Sequence, residues 1–312
     1  MRLAILGATS QIAKDLVQSF AAQSSHVLVL YARRPDVVTQ WLNRIGLTDR
    51  YAVAEFAAFN TEEHFDGILN FVGVGDPAQA KAMGATIFDI TLKYDELALN
   101  YVRQHTACRY IFLSSGAAYG SSFDEPVNEK TNSAIAINTM QVQDGYAVAK
   151  LHAECRHRAL SHLPIVDLRI FNYFSHTQNI AARFLITDIL RAIRDKTIFI
   201  TSSDYIVRDF LHPSDFYQLV NLVLDHPSVN MVIDCYSKTP IDKFELLELM
   251  KEKFKLNYKI IDDMDSVNSI SYKKYYYSLN YIAEKIKYTP KYSSKECILI
   301  ESERLIKENI LI

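Results

Sequence analysis

The chain has 312 residues, 49% of them hydrophobic and 22% charged, enough for one large folded unit or two smaller ones sharing a cleft. Its formal charge of −2 gives no positive field for nucleic acid or an anionic membrane, and no apolar run reaches the ~18 residues of a membrane span. The four cysteines, Cys108, Cys155, Cys235 and Cys297, form no C-x-x-C pair, so neither a disulfide framework nor a zinc site is expected. The apolar run in "MRLAILGATS" is too short for a signal peptide, and the sequence predicts a cytosolic protein.

The elements alternate. "RLAILG" predicts a strand ending in glycine, and "SQIAKDLVQSFAAQ" a helix with apolar residues at helical spacing. Strand "HVLVLYA", helix "DVVTQWLNRIG", strands "YAVAEFA" and "GILNFVG", the long helix "ATIFDITLKYDELALNYVRQH" and strand "RYIFLSS" follow. Next come helix "YAVAKLHAECRHRAL" and strand "PIVDLRIFN". Continuous apolar strands separated by helices predict a parallel sheet covered on both faces, a doubly wound α/β (Rossmann) fold with its ligand site at the carboxyl ends of the strands. From about Asp234 the composition shifts toward Lys, Tyr, Ile, Asn and Glu, which marks either a second lobe or a change of codon bias.

Chemistry gathers at the predicted strand ends. In "GATSQIA" Gly7 suits a tight turn, the small Ser10 and Ala13 stand where two further glycines are commonly found, Thr9 and Ser10 can add hydroxyl donors, and Gln11 and Ile12 open a helix whose amides can face a pyrophosphate. The competing reading is a plain strand–turn–helix start with Ser10 as N-cap. "YARRPD" puts Arg33 and Arg34 where an NAD-selective site carries an acid, so NADP is the expected cofactor and NAD the alternative; a solvated basic loop is the competing reading. Val72 and Gly73, after the fourth strand, complete the expected cofactor contacts.

"FLSS" brings Ser115 to the end of a strand, and "DGYAVAK" sets Tyr146 four residues before Lys150 on one helix face. That spacing alone also fits two ordinary surface residues. The motifs "GATSQIA", "FLSSGAAYG", "YAVAK", "RIFN" and "RDFLHPSD" in this order resemble the extended short-chain dehydrogenase/reductase family of nucleotide-sugar epimerases, dehydratases and reductases. The resemblance covers Met1 to Asp215 with motifs and continues loosely through "VIDCYSKTPIDKFELLELMKEKF".

The resemblance implies Tyr146 as general acid/base and Lys150 as the cation that lowers its pKa and holds the nicotinamide ribose. It implies Ser115 as hydrogen-bond partner of the reacting oxygen, and Asn172 and Arg208 as contacts to a nucleotide diphosphate. Structural roles are the alternatives for the last two: a strand-end turn for Asn172, and an ion pair of Arg208 with Asp209 or Asp215. It further implies an NADP-binding domain over 1–172 with a returning segment 206–235, and a substrate lobe over 173–205 and 236–312. A homodimer through the helices of Leu97 and Leu151, and a role in bacterial surface polysaccharide, follow by the same analogy.

Departures narrow the chemistry. Gly116 and Ala117 stand where the family's 4,6-dehydratases carry an acidic pair, and Gly116 where its 3,5-epimerase/reductases carry a cysteine. Asp89 stands near a position the family often fills with Asn. The expected activity is therefore NADPH-dependent reduction of a 4-keto nucleotide sugar. A 4-epimerase with tightly bound NAD is the alternative, and a non-catalytic NADP sensor the rival of another class. "LHAECRHRAL" is expected to be a helix surface rather than a metal site. His176 either reaches the substrate or lies on an exposed loop, and "YKKYYYSLNY" is expected to be a half-buried aromatic segment of the substrate lobe.

Overall fold

A computed structural model describes residues 1–75, 77–227, 229–261 and 273–310. Seven strands form one sheet: β1 (Arg2–Leu6), β2 (Val27–Tyr31), β3 (Ala52–Ala54), β4 (Gly67–Asn70), β5 (Arg109–Ser115), β6 (Ile165–Ile170) and β7 (Met231–Cys235). Their order is β3-β2-β1-β4-β5-β6-β7, and every pairing is parallel. The order reverses between β1 and β4, which puts the crevice for a ligand at the carboxyl ends of those two strands.

Nine helices are described: α1 (Gln11–Gln23), α2 (Pro35–Arg44), α3 (Pro77–Met83), α4 (Thr86–Gln104), α5 (Gly145–Ala159), α6 (Leu185–Asp195), α7 (Pro213–Asp225), α8 (Lys243–Phe254) and α9 (Ser294–Ile310). Alternation along β1 explains the two layers. Leu3 and Ile5 pack with Leu16, Phe20, Trp41 and Leu219 of α1, α2 and α7. Ala4 and Leu6 pack with Ala98, Tyr101 and Ala153 of α4 and α5 on the other face. Helices cover both faces, so the strands are largely apolar, with buried polar side chains such as Asn70, Asp167 and Asp234 as exceptions.

A further apolar cluster joins α6, α8 and α9 through Ile189, Leu190, Leu247, Met250 and Ile298. Sequence sets the ends of these helices. Pro213 occupies the first turn of α7, where its missing N–H costs nothing, and Asp242 caps α8 by accepting from the amides of Phe244 and Glu245. A three-stranded ribbon connects this region to the sheet. Val207–Arg208 pairs antiparallel with Ile241–Asp242 and parallel with Tyr275–Tyr276, Arg208 lying opposite Tyr276. Among the described residues no helix is long and apolar enough to cross a membrane.

Candidate active site

The nucleotide end of the crevice is built by β1 and α1. Gly7 takes φ +83°, and a β-carbon there would lie 2.9 Å from the Phe71 carbonyl carbon and the Val72 nitrogen. Only glycine lets these two strand ends approach so closely. The Gly7 and Ala8 amides donate to the Tyr31 carbonyl, which ties the turn to β2. Ser10 is the N-cap residue of α1, as the competing reading has it, although its side chain makes no capping hydrogen bond. Among the described residues the first-turn amides of Gln11 and Ile12 have no acceptor, while Thr9 is exposed. A helix start with open amides and a small-residue turn fits a dinucleotide pyrophosphate. The Gln11 amide group reaches across to Ser175 at 2.8 Å.

Arg33 and Arg34 follow the end of β2, both exposed, and among the described residues neither meets a carboxylate. Val72 donates its amide to Asn70 at 3.0 Å. A β-carbon on Gly73 would lie 3.4 Å from the Lys150 ammonium, so residues 72–73 adjoin the other end of the crevice.

Three predicted residues converge there. Ser115 ends β5 and is buried; its Oγ accepts from the Ala117 amide at 3.2 Å. Tyr146 lies in the first turn of α5 with Ser115 beside its phenol; burial raises its pKa, and the serine hydroxyl opposes the rise. Lys150, one turn on, donates to the Leu113 carbonyl at 2.6 Å. Its ammonium lies 4.4 Å from the Phe112 ring centre and 5.9 Å from that of Tyr146. Burial pulls the Lys150 pKa down to about 8, while Glu154, Asp95 and Asp167 act the other way. A hydroxyl, a phenol and a cation therefore stand together beyond the carboxyl end of β5, groups able to exchange a proton with a bound oxygen.

Asn172 donates to the Asp209 carbonyl at 3.0 Å, and the Arg208 guanidinium donates to the carbonyls of Val207 and Lys273. Arg208 does not form the alternative ion pairs. Asp209 accepts from Ser237 and Ser294, and Asp215 from the amides of Lys291 and Tyr292.

Sequence reasoning missed several participants. Tyr276 brings its hydroxyl to 3.3 Å from Ser115 Oγ, from a segment expected only to be a half-buried part of the substrate lobe. The first residues of the wider tyrosine-rich stretch, Ser271 and Tyr272, lie outside the described residues. Glu154, one turn beyond Lys150, accepts from Ser114 and from Nε and Nη2 of Arg169, whose Nη1 faces Asp234 at 3.6 Å. Tyr119 and Ser278 both donate to Asp234, so this buried ionic chain links β5, α5, β6 and β7 to the segment of Tyr276.

Two histidines depart from expectation. His157 is no surface residue: it is fully buried, its ring nitrogens 2.6 Å from Asp167 and 2.7 Å from Asp95. His176 does not lie loose on an exposed loop; Glu301 of α9 holds both its amide and its Nδ1. Asp89 is exposed on α4. Among the described residues no group of three or more His, Cys, Asp or Glu side chains could hold a metal ion.

The profile of the NAD dependent epimerase/dehydratase family matches residues 3–233. The chain belongs to that family. It is an enzyme of a nicotinamide-dependent class, and the resemblance to extended short-chain dehydrogenases holds. No curated protein matches it.

Solved structures share the fold at low identity. UDP-glucose-4-epimerase from Stenotrophomonas maltophila, with bound NAD and formylated UDP-arabinopyranose, is 16% identical with a TM-score of 0.82 over 100% of both chains. UDP-glucuronic acid 4-epimerase from Bacillus cereus, with UDP-glucuronic acid and NAD, is 14% identical with a TM-score of 0.78, covering 99% of this chain and 100% of that one. dTDP-glucose 4,6-dehydratase from Bacillus anthracis, with NAD, is 17% identical with a TM-score of 0.76, covering 99% and 98%.

Proposed function

We propose that this enzyme reduces the ketone of a 4-keto nucleotide sugar with NADPH. One observation carries the reading. Beside Ser115, Tyr146 and Lys150, the place where a further acid, base or thiol would follow the serine is Gly116, and the Phe171 ring fills the space around it. The pocket can exchange one proton with a sugar oxygen, and it offers nothing at residue 116 to eliminate water or move a proton on carbon.

A nicotinamide held in this crevice would supply the hydride. Tyr146 gives its phenolic proton to the oxygen that gains charge, and Ser115 holds that oxygen in line. Lys150 stabilises the phenolate left behind and serves the nicotinamide ribose. Gly7, Thr9, Ser10, Gln11 and Ile12 take the pyrophosphate, Val72 and Gly73 line the crevice, and Arg33 and Arg34 take the 2′-phosphate. Asn172 and Arg208 serve the sugar's diphosphate, the guanidinium matching phosphate oxygens in a fork. Residues 1–172 with 206–235 form the cofactor domain, and the remainder the substrate lobe. Complexes of neighbouring structures with UDP-glucuronic acid and a UDP-pentose support the substrate class. A homodimer through α4 and α5 belongs to this reading; Leu92, 43% exposed on α4, supports it.

The second reading is a 4-epimerase that keeps NAD bound, favoured by the NAD in the two neighbouring 4-epimerases. Cofactor exchange separates the two. A reductase consumes NADPH in proportion to a 4-keto nucleotide sugar and purifies largely free of nucleotide. Near-stoichiometric NAD released on denaturation, with interconversion of UDP-glucose and UDP-galactose or of their uronic acids without added cofactor, would overturn the reductase reading.

A further inference from the structure

Ser115 Oγ has one proton to give and two lone pairs to fill. The Ala117 amide takes one lone pair at 3.2 Å, and two phenols, Tyr146 and Tyr276, compete for what remains. The serine can donate to one of them only, and must accept from the other. A phenolate at Tyr146 can only accept, so when charge develops there the serine must donate to it and accept from Tyr276, 3.3 Å away.

The Tyr276 ring cannot swing away. Phe123 and Phe171 hold it edge to face at 4.8 and 5.1 Å, and the Lys273 ammonium sits 4.3 Å from its centre. Its backbone pairs with Arg208, and Ser278, two residues on, is anchored on Asp234.

We infer that Tyr276 is a positioning residue that orients the Ser115 proton toward Tyr146, forming a one-way chain Tyr276 O–H to Ser115 O–H to Tyr146 O. The inference rests on the reading of Tyr146 as proton donor. With the chain intact, a phenolate at Tyr146 receives a directed hydrogen bond at the moment charge develops. Without Tyr276, Ser115 rotates between alternatives and that stabilisation is diluted. Lys150 on its own helix lies 5.9 Å from the Tyr146 ring centre and Tyr276 faces Tyr146 from the ribbon, while Arg208 and Lys273 lie over the Tyr276 ring and Asp144 acts on Lys273.

A double-mutant cycle tests it on the full chain, with whichever nucleotide sugar the wild type turns over best among 4-keto nucleotide sugars with NADPH, UDP-glucose and UDP-glucuronic acid. Tyr276→Phe keeps the ring and its packing. It should lower kcat/KM about tenfold, the worth of one hydrogen bond to a group gaining charge, and move the pH limb assigned to Tyr146 upward. In a Ser115→Ala background the same change should alter kcat/KM less than about twofold, because the chain is already cut. Additive losses, or a lowered rate with an unmoved limb, would overturn the inference and leave a merely structural tyrosine.

A second measurement needs no sugar. The 13Cζ resonance of Tyr146, identified by its absence in Tyr146→Phe, should titrate at higher pH in Tyr276→Phe than in wild type; coincident curves also overturn the inference. Failure of the underlying reading shows separately, as a Tyr146→Phe enzyme that keeps its turnover.

Discussion

The ring of Phe171 stands where a side chain on Gly116 would have to go: a β-carbon built there lies 2.5 Å from Phe171 Cδ1 and 2.6 Å from Cε1. The ring is buried, stacked on Tyr119 and edge to face with Tyr276, so it has nowhere to move. The missing acid or cysteine after Ser115 is thus matched by packing from the residue that follows β6, 55 positions beyond Gly116 in the chain.

Gly116→Ala should therefore destabilise the fold by about 1–3 kcal/mol, the cost of overpacking a filled core. Urea denaturation checks this, and an unchanged midpoint would mean that the ring yields. Gly116→Asp should confer no dehydratase activity and should lower stability further, since it forces a carboxylate against the same ring.

Tyr146→Phe should remove at least nine-tenths of turnover and leave cofactor affinity nearly unchanged, since general acid/base catalysis is typically worth about 10²–10⁴-fold. Lys150→Met should impair both rate and cofactor affinity, yet raise stability at neutral pH. Burial holds the Lys150 pKa near 8, below its ordinary 10.5. The buried charge is thus a full cost below pH 8, relieved as pH rises from 8 toward 10.5, where the unfolded chain binds the extra proton. The variant's advantage should be about 1–3 kcal/mol at pH 7 and shrink by pH 10. Equal stabilities at both values would show that the bond to Leu113 and the Phe112 contact outweigh the desolvation.

The sheet, the Gly7 turn and the convergence of Ser115, Tyr146 and Lys150 were legible because each rests on local pattern. Apolar runs encode buried parallel strands, and a four-residue spacing encodes one helix face. Tyr276 was not legible: it meets Ser115 across 161 positions, through a two-residue pairing that gives no periodic signal. Nothing local sets the middle tyrosine of Tyr275–Tyr277 apart from its neighbours. His157 was hidden for the same reason. Its partners, Asp95 and Asp167, come from α4 and β6, and a charged helix such as "ECRHR" resembles solvent-facing surface unless those partners are known.

The enzyme should bind NADPH at least several-fold more tightly than NADH. Arg33 and Arg34 lie exposed beyond the end of β2, where no acid precedes Asp36 to take a ribose hydroxyl. Each charge-assisted bond to a 2′-phosphate contributes about 1.5–3 kcal/mol, so replacing both arginines with alanine should erase the preference without weakening NADH. Fluorescence titration of the two cofactors decides it; equal dissociation constants in the wild type would return the site to NAD.

His157 should make stability depend on pH on the alkaline side. Burial alone would depress its pKa, but Asp167 and then Asp95 outweigh it and raise it to about 9. Because this exceeds the value of about 6.5 in an unfolded chain, the contribution is fully present below pH 6.5 and fades as pH rises through 9. The imidazolium sits between two buried carboxylates, with Arg156 on Asp95 and Arg158 on Asp167, both at 2.7 Å. His157→Gln keeps hydrogen-bonding capacity but no charge, and should cost about 3–5 kcal/mol at pH 6, as breaking a buried ion pair does. The gap to the wild type should narrow by pH 9.5, when the histidine itself is mostly neutral. The same substitution leaves Asp95 and Asp167 less compensated beneath Lys150, whose charge both of them favour. The Lys150 pKa should then rise above 8 and shift the activity profile with it. A stability gap that stays constant from pH 6 to 9.5 would show that His157 is held neutral and that the two carboxylates are balanced by their arginines alone.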